Sequence, residues 1–526
     1  DAVQGCLGAI VLGGNGGMDG FRFEVLEEDG RWAPAGLVNG DFEEAEEGDV
    51  SGWATPSPGW SYGPATVEVP SGSQYLRIAQ GRATISGPLF PQAPEVGEVA
   101  QKSLGRGIMA RIPLALYSRE GHTLGTPEAF RATALAASLR EVALPSLTAE
   151  DEALRLADVI MAWNVFQHFY PYFDVVDADW DEVLTISLER ALQDRTPAAY
   201  LATLRWMVSR LQDGHGFVVG PAEPTMALPI RVDWVEGEVV VVATDDPESF
   251  QPGDVIESID GRPAGEVLDE LASTFSGSDR WRRWRGLGQF DLGPEGSVAE
   301  LELRRDGETV EVSRVRDAAR LPSEPHPANI EELEPGIFYV NLDLVEMAEF
   351  QARVEDLAAA EGVVFDLRGY PNGNHLALTY LTDQNLNSAF WRVPRIIYPD
   401  HDGEAYYAES RWDLPPSEPR FQGKIAFLTN GRAISYAESV MGIVEHYRLG
   451  EIIGEATAGA NGNVNPFTLP GGYRFTWTGM QVLKHDRSQH HLIGIQPTIP
   501  MSRTIQGVRE GRDELLERAV EVVKGG

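Results

Sequence analysis

The stretch Ile425-Ala426-Phe427-Leu428-Thr429-Asn430-Gly431-Arg432-Ala433-Ile434-Ser435-Tyr436-Ala437-Glu438 decides how the C-terminal part of the chain is read. Residues 425–428 form a short apolar run suited to a strand buried on both faces. A polar turn with Asn and Gly follows, and a helix is expected from Tyr436 to about Tyr447. Strand, turn and helix in that order are the unit of an α/β sheet, whose binding sites lie beyond the strand C-termini. Ser435 stands at that place. Its hydroxyl would be offered at the sheet edge, with the Tyr436 amide and the positive helix N-terminus ready to face a developing oxyanion. The plainer alternative is that Ser435 caps the helix.

Two more apolar runs, Ile337-Phe338-Tyr339-Val340 and Gly362-Val363-Val364-Phe365, extend the same pattern. The second leads into Asp366-Leu367-Arg368-Gly369-Tyr370-Pro371-Asn372-Gly373, a turn able to expose backbone N–H groups to an anion. A glycine-rich segment, Gly454-Glu455-Ala456-Thr457-Ala458-Gly459-Ala460-Asn461-Gly462, follows Ile452-Ile453. Gly494-Ile495-Gln496-Pro497-Thr498-Ile499-Pro500 then precedes a terminal helix. Residues 321–526 therefore read as an α/β core.

Upstream, the period changes twice. Residues 146–224 read as three helices. Thr148 and Asp151 have capping-box spacing at the first, and Thr196-Pro197 opens the third. The third stops at Asp213-Gly214 and delivers His215 on a loop. Residues 225–320 run strand, Pro252-Gly253-Asp254 strand, Asp260-Gly261 turn, helix, and a hairpin through Asp306-Gly307. That order resembles a PDZ domain, a module that holds extended peptide termini by strand addition. A purely structural β domain is the alternative. Residues 1–145 show short alternating runs between Gly, Pro, Asn and Asp clusters, as in a β-sandwich of jelly-roll type. Trp53, Trp60 and Tyr62 there make either a sugar-stacking platform or part of the core. The whole is a multidomain α+β chain.

Composition narrows the partners. There are 80 Asp+Glu against 43 Lys+Arg, a formal charge of -37, which repels phosphate backbones and anionic membrane surfaces. Nucleic acid is thereby disfavoured. Cys6 is the single cysteine, so neither an intrachain disulfide nor a cysteine-based metal site is available. No apolar run approaches the roughly 18 to 20 residues of a membrane span. The first residue is Asp, and a processed, exported protein is expected.

The blocks around Asp366, Ser435, Gly454 and Gly494, in this order, resemble the tail-specific or C-terminal-processing serine peptidases, the family that also holds the tricorn core peptidases. The resemblance covers about residues 146–526. It implies a crotonase-like α/β core with a PDZ domain, a peptide or protein substrate, no cofactor, and Ser435 as nucleophile. One branch activates its serine with lysine, in a block similar to Gly-Glu-Lys-Thr-Phe-Gly-Lys-Gly, and here Ala460 occupies that place. The tricorn-like branch uses histidine in an Asp-x-His block, matched by Asp213-Gly214-His215.

His215 is then the general base, since imidazole titrates near neutrality and can shuttle the serine proton. The alternatives are that His215 caps a helix, or that His485, His490 or His491 serves instead. The branch has a glutamate before the final block, but residues 484–493 contain none. Asp486, Gln489 and His490 are the candidate orienting groups, and the nearby histidines lack the carboxylate–histidine spacing of a metal site. Backbone oxyanion donors carry over to Tyr436 and Gly373, with Asn372 replacing the first of a usual Gly-Gly pair. Glu438 carries over as structural. A ligand- or carbohydrate-binding protein without catalysis, on the same fold, is the rival reading.

Overall fold

The computed structural model describes residues 94–105, 108–119, 122–123, 137–138, 148–221, 225–318, 324–395 and 406–525, with five strands between residues 22 and 79. The chain forms two compact units, residues 1–141 with 397–402, and residues 142–396 with 403–526.

The first unit is antiparallel where described. Arg22–Leu26 pairs with Trp32–Pro34 and Tyr75–Ala79, Gly36–Val38 with Thr66–Glu68, and Val99–Gly105 with Ile108–Pro113. The strands expected around residues 21–25 and 65–69 fall among these. Trp53, Trp60 and Tyr62 lie outside the described residues.

The second unit opens with three helices, α1 (Glu152–Phe169), α2 (Trp180–Gln193) and α3 (Pro197–Ser209). Asp151 caps α1 itself, accepting from the Ala153 amide. Thr148, expected to share a capping box, lies outside the helix and reaches only the Glu150 amide, at 3.4 Å. Asp179 and Thr196 cap the other two, and Pro197 opens α3, where a missing N–H costs nothing. The helices close over Phe166, Tyr200, Leu204 and Met207, together with Phe475 and Trp477 of the strand Tyr473–Thr478. Phe166 meets Trp180, Phe467 and Trp477 edge-on, with ring centroids 5.7–5.9 Å apart. Each such buried aromatic contributes roughly 1.5–3 kcal/mol. The strand that ends at Thr478 is thus held by the helical core.

Next comes an antiparallel sheet in the spatial order Ile230–Val235, Glu238–Thr244, Val255–Ile259, Val298–Arg305, Glu308–Val315. Asp306 and Gly307 both have positive φ (52° and 86°), as a two-residue hairpin turn with right-handed strand twist requires. Helix α4 (Ala264–Ser273) lies where the sequence placed one. Helix α5 (Asp279–Phe290) was not expected. Four arginines in its first seven residues obscure the buried face of Trp281, Leu287 and Phe290.

The remaining residues build a six-stranded sheet in the order Ile330–Glu334, Ile337–Asn341, Gly362–Asp366, Lys424–Thr429, Glu451–Gly454, Ile499–Pro500. The first pair is antiparallel and the others are parallel. Helix α6 (Tyr436–Tyr447) buries Ala437, Val440, Met441 and Val444 on one face of the sheet. Helix α7 (Glu514–Lys524) buries Leu515, Ala519 and Val523 against Val364, Ala426 and Leu428 on the other. Covering on both faces explains the unbroken apolar runs of the central strands.

Candidate active site

Ser435 sits between the strand Lys424–Thr429 and α6, at the N-cap position, yet its side chain makes no capping bond. Its backbone is at φ 59°, ψ -111°, a conformation that costs a non-glycine residue roughly 1–3 kcal/mol. The simple capping alternative does not account for that strain. The side chain is half-buried, and its Oγ lies 3.5 Å from the Gly462 carbonyl. The amide of Ser435 donates to the Ala460 carbonyl at 2.9 Å, and that of Ala458 to Ala433 at 2.8 Å. These bonds tie the serine turn to the segment that follows Glu451–Gly454.

Glu438, one turn into α6, fixes that segment. Fully buried, it accepts from the Thr457 hydroxyl at 2.5 Å and from the Gly459 and Ala460 amides at 2.7 and 2.8 Å. His490 Nε2 stands 3.3 Å away. Burial works to raise its pKa, but His490 and the three donors hold it down at about 2.

His215 follows α3 on a buried loop. Its Nδ1 is 2.8 Å from Thr478 Oγ1, which is itself 2.6 Å from Asp213 Oδ1. A hydroxyl has one proton to give, and the carboxylate only accepts. Thr478 therefore donates to Asp213 and accepts Nδ1–H from His215, which leaves Nε2 as a free lone pair. Asp213 also accepts from the amides of His215 (3.0 Å) and Thr478 (2.6 Å), and Thr476 Oγ1 donates to the His215 carbonyl at 2.7 Å. Thr476 and Thr478, two apart on one strand, share a face. The pairing of Phe217 with Thr476 sets them beside the 213–215 loop. Burial lowers the His215 pKa below its ordinary value, while Asp213 and Glu438 pull the other way.

The His215 loop packs directly on the serine turn. A Cβ on Gly214 would meet Ala460 Cβ at 2.6 Å, Ile434 Cδ1 at 3.2 Å and Trp281 Cδ1 at 3.4 Å. The start of α5 braces both sides. Ser276 Oγ accepts from the Asp213 amide at 2.7 Å, and Ser278 Oγ donates to the Ala458 carbonyl at 2.5 Å. The Arg280 guanidinium reaches the carbonyls of Thr457, Leu492 and Ile493. Ser435 and His215 are not hydrogen-bonded to each other in this conformation, and such bonds often tighten only with substrate.

The loop after Gly362–Asp366 forms the remaining wall. Arg368 bridges Asp366 and Asp513, both at 2.6 Å, and Arg432 Nε donates to the Arg368 carbonyl at 3.1 Å. From this loop the Tyr370 ring leans on that of Tyr436, with centroids 5.9 Å apart. Gly373 is exposed, with φ 66°, and no hydrogen bond joins it to Ser435.

The other candidates have separate partners. Asp486 is exposed and binds the amide and hydroxyl of Ser488, at 2.9 and 2.6 Å. Gln489 donates to the His491 carbonyl, and His490 stands beside Glu438. The group on His215 Nδ1 is Thr478. His491 stacks on Tyr172 at 3.9 Å and His485 on His446 at 4.1 Å. Thr478 was missed from sequence, and Asp213 was named there only as part of the block that carries His215. The Thr476-Trp477-Thr478 alternation was the available signal for the first.

Residues 337–501 match the model of Peptidase family S41 and form an S41 peptidase domain, that of the C-terminal-processing (tail-specific) proteases. The solved structure of mature CPAF is similar over 71% of this chain and 97% of that one, at 16% identity and TM-score 0.59. Mature CPAF complexed with lactacystin is similar over 71% and 98%, at 16% identity and TM-score 0.58. At such identity the likeness is one of fold. No curated protein sequence matches the chain. Among the described residues, no helix is long and apolar enough to cross a membrane.

Proposed function

We propose that this protein is a serine endopeptidase that cleaves peptide bonds through an acyl-enzyme. His215 Nε2 takes the proton of Ser435 as Oγ attacks the carbonyl carbon, then returns it to the leaving amine. Thr478 and Asp213 keep the imidazole in the tautomer with Nε2 free. The Tyr436 amide receives the oxyanion, and the Gly373 amide would join it on closure of its loop. The observation that carries this reading is the Asp213–Thr478–His215 series packed, through Gly214, on a strained Ser435.

The antiparallel sheet of residues 230–315 is proposed as a PDZ-like receiver of substrate chain ends, and the six-stranded core as crotonase-like. An exported location is proposed because Leu37-Val38-Asn39-Gly40-Asp41-Phe42-Glu43, followed by Gly52-Trp53 and Gly59-Trp60, resembles the opening of jelly-roll modules found on exported enzymes.

A fluorophosphonate should label Ser435, located by mass spectrometry of the modified peptide, and Ser435→Ala should abolish hydrolysis of an unfolded protein such as casein. Undiminished hydrolysis by that variant would sink the assignment and favour the binding-protein alternative.

A further inference from the structure

We infer that Tyr436 and His375 are positioning residues of this site, their side chains tying the loop that carries Gly373 to the residue after the nucleophile. The inference rests on the reading of Ser435 as nucleophile and concerns what keeps its two backbone oxyanion donors in register.

An oxyanion site made of two amides works only if both stand about 3 Å from one developing charge. The two proposed donors here come from the ends of different strands. The Tyr436 amide opens α6, after the strand Lys424–Thr429, and the Gly373 amide lies on the loop after Gly362–Asp366. A side-chain link joins them. The Tyr436 hydroxyl lies 2.9 Å from the His375 amide nitrogen and 2.8 Å from His375 Nδ1. The amide can only donate, so the phenol accepts from it and gives its own proton to Nδ1. One hydroxyl thus holds both the backbone and the ring of a residue two positions from Gly373.

The loop is also pinned on its other side. The Asn372 amide donates to the Leu342 carbonyl at 2.9 Å. The buried Asn374 side chain donates to the carbonyls of Leu342 and Val345, both at 2.8 Å. Gly373, exposed and at φ 66°, is therefore carried between two fixed neighbours. The imidazole is held as well. It stacks on Trp412 with centroids 4.4 Å apart and planes 17° from parallel, and Trp412 meets the Tyr436 ring edge-on at 5.7 Å. The Trp412 amide in turn donates to Ser388 Oγ at 2.8 Å.

Burial lowers the His375 pKa to about 4, so near neutrality Nδ1 stays an acceptor for the phenol proton. Neither side chain takes a proton in the reaction, which His215 handles. They set where the second amide stands, and closure of the loop over a substrate turns about their link.

The test is a double-mutant cycle in the full chain: Tyr436→Phe, His375→Phe and the pair, beside wild type and Ser435→Ala. Labelled casein reads turnover, and a peptide aldehyde serves as the tetrahedral mimic. Tyr436→Phe breaks both bonds and keeps the ring, while His375→Phe breaks only the Nδ1 bond and keeps a ring on Trp412. The expected fall in kcat is roughly 10–100-fold for Tyr436→Phe and smaller for His375→Phe, with KM within about twofold. Aldehyde affinity should fall in parallel, which a merely structural role would not produce when assays run well below each melting midpoint. The double variant should be no slower than Tyr436→Phe, because the link is already gone. Wild-type turnover by Tyr436→Phe overturns the inference, as do losses that multiply in the double variant. If Tyr436→Phe does not fold, His375→Phe decides: parallel falls in kcat and aldehyde affinity uphold the inference, and unchanged values overturn it. Normal hydrolysis by Ser435→Ala would show instead that the serine reading has failed, and the inference with it.

Discussion

Gly214 and Ala460 touch so closely that a methyl group on the glycine would stand 2.6 Å from the alanine's Cβ. The contact joins the loop before His215 to the segment that accepts the Ser435 amide. It sets, by backbone packing, the spacing of His215 and Ser435, the proposed base and nucleophile.

Gly214→Ala should therefore cut kcat/KM by at least about tenfold, with a stability loss of roughly 1–3 kcal/mol from overpacking. Adding Ala460→Gly removes the closest clashing atom, so the double variant should recover part of the activity. Steady-state kinetics of the three proteins check this, and a double variant no better than Gly214→Ala would argue against the contact as spacer.

Thr478→Val removes the hydroxyl between His215 and Asp213 with little change of shape. Loss of the tautomer lock should lower kcat by about 10–100-fold, and Thr478→Ser should restore most of it. Asp213→Asn should cost more, because that carboxylate also receives the His215 and Thr478 amides.

The pH profile follows from the direction of the His215 shift. Burial lowers its pKa, so the neutral base persists below the usual imidazole range. The acid limb of kcat/KM should have its midpoint below pH 6.5, with activity lost as pH falls through it. Asp213 raises that pKa, so Asp213→Asn should move the limb to lower pH still.

Glu438→Gln replaces an acceptor of three donors by a group that must point an NH2 at one of them. The expected loss is on the order of 3 kcal/mol, read by denaturant unfolding, with faster exchange of the Gly459 and Ala460 amides. The Glu438 pKa is depressed to about 2, so the stability it contributes is complete above its unfolded value near 4.5. It is lost as pH falls through 2.

Asp158 in α1 is fully buried with both carboxyl oxygens unpartnered, close to Tyr200 and Tyr473. Burial pushes its pKa up to about 7. A raised carboxyl pKa gives stability that is fully present below the unfolded value and lost as pH rises through 7. Wild type should melt lower at pH 8 than at pH 5, and Asp158→Asn should remove much of that difference, worth at most about 3 kcal/mol. Thermal melts at both pH values decide it.

Local patterns made the strands through Phe365 and Phe427, the three helices and the hairpin at Asp306-Gly307 readable in sequence, because each is specified by its own residues. Helix α5 was hidden because its arginines serve other elements: Arg280 bonds carbonyls more than 170 positions away. Thr478 escaped for a similar reason. A threonine near a strand end looks like any β-former until the pairing of Phe217 with Thr476 sets it beside His215. Tyr370 was read as part of a turn, and only the fold shows which way its ring faces.

The Arg368 bridge has a consequence in time. A chain is made from its N-terminus, so His215 emerges long before Ser435, and Thr478 later still. Asp513, which closes the bridge under the Tyr370 loop and caps α7, comes after all three. A nascent chain can carry the proposed base and nucleophile and still lack the clasp that holds this loop. On the proposed reading, the site is therefore complete only once translation has passed Asp513.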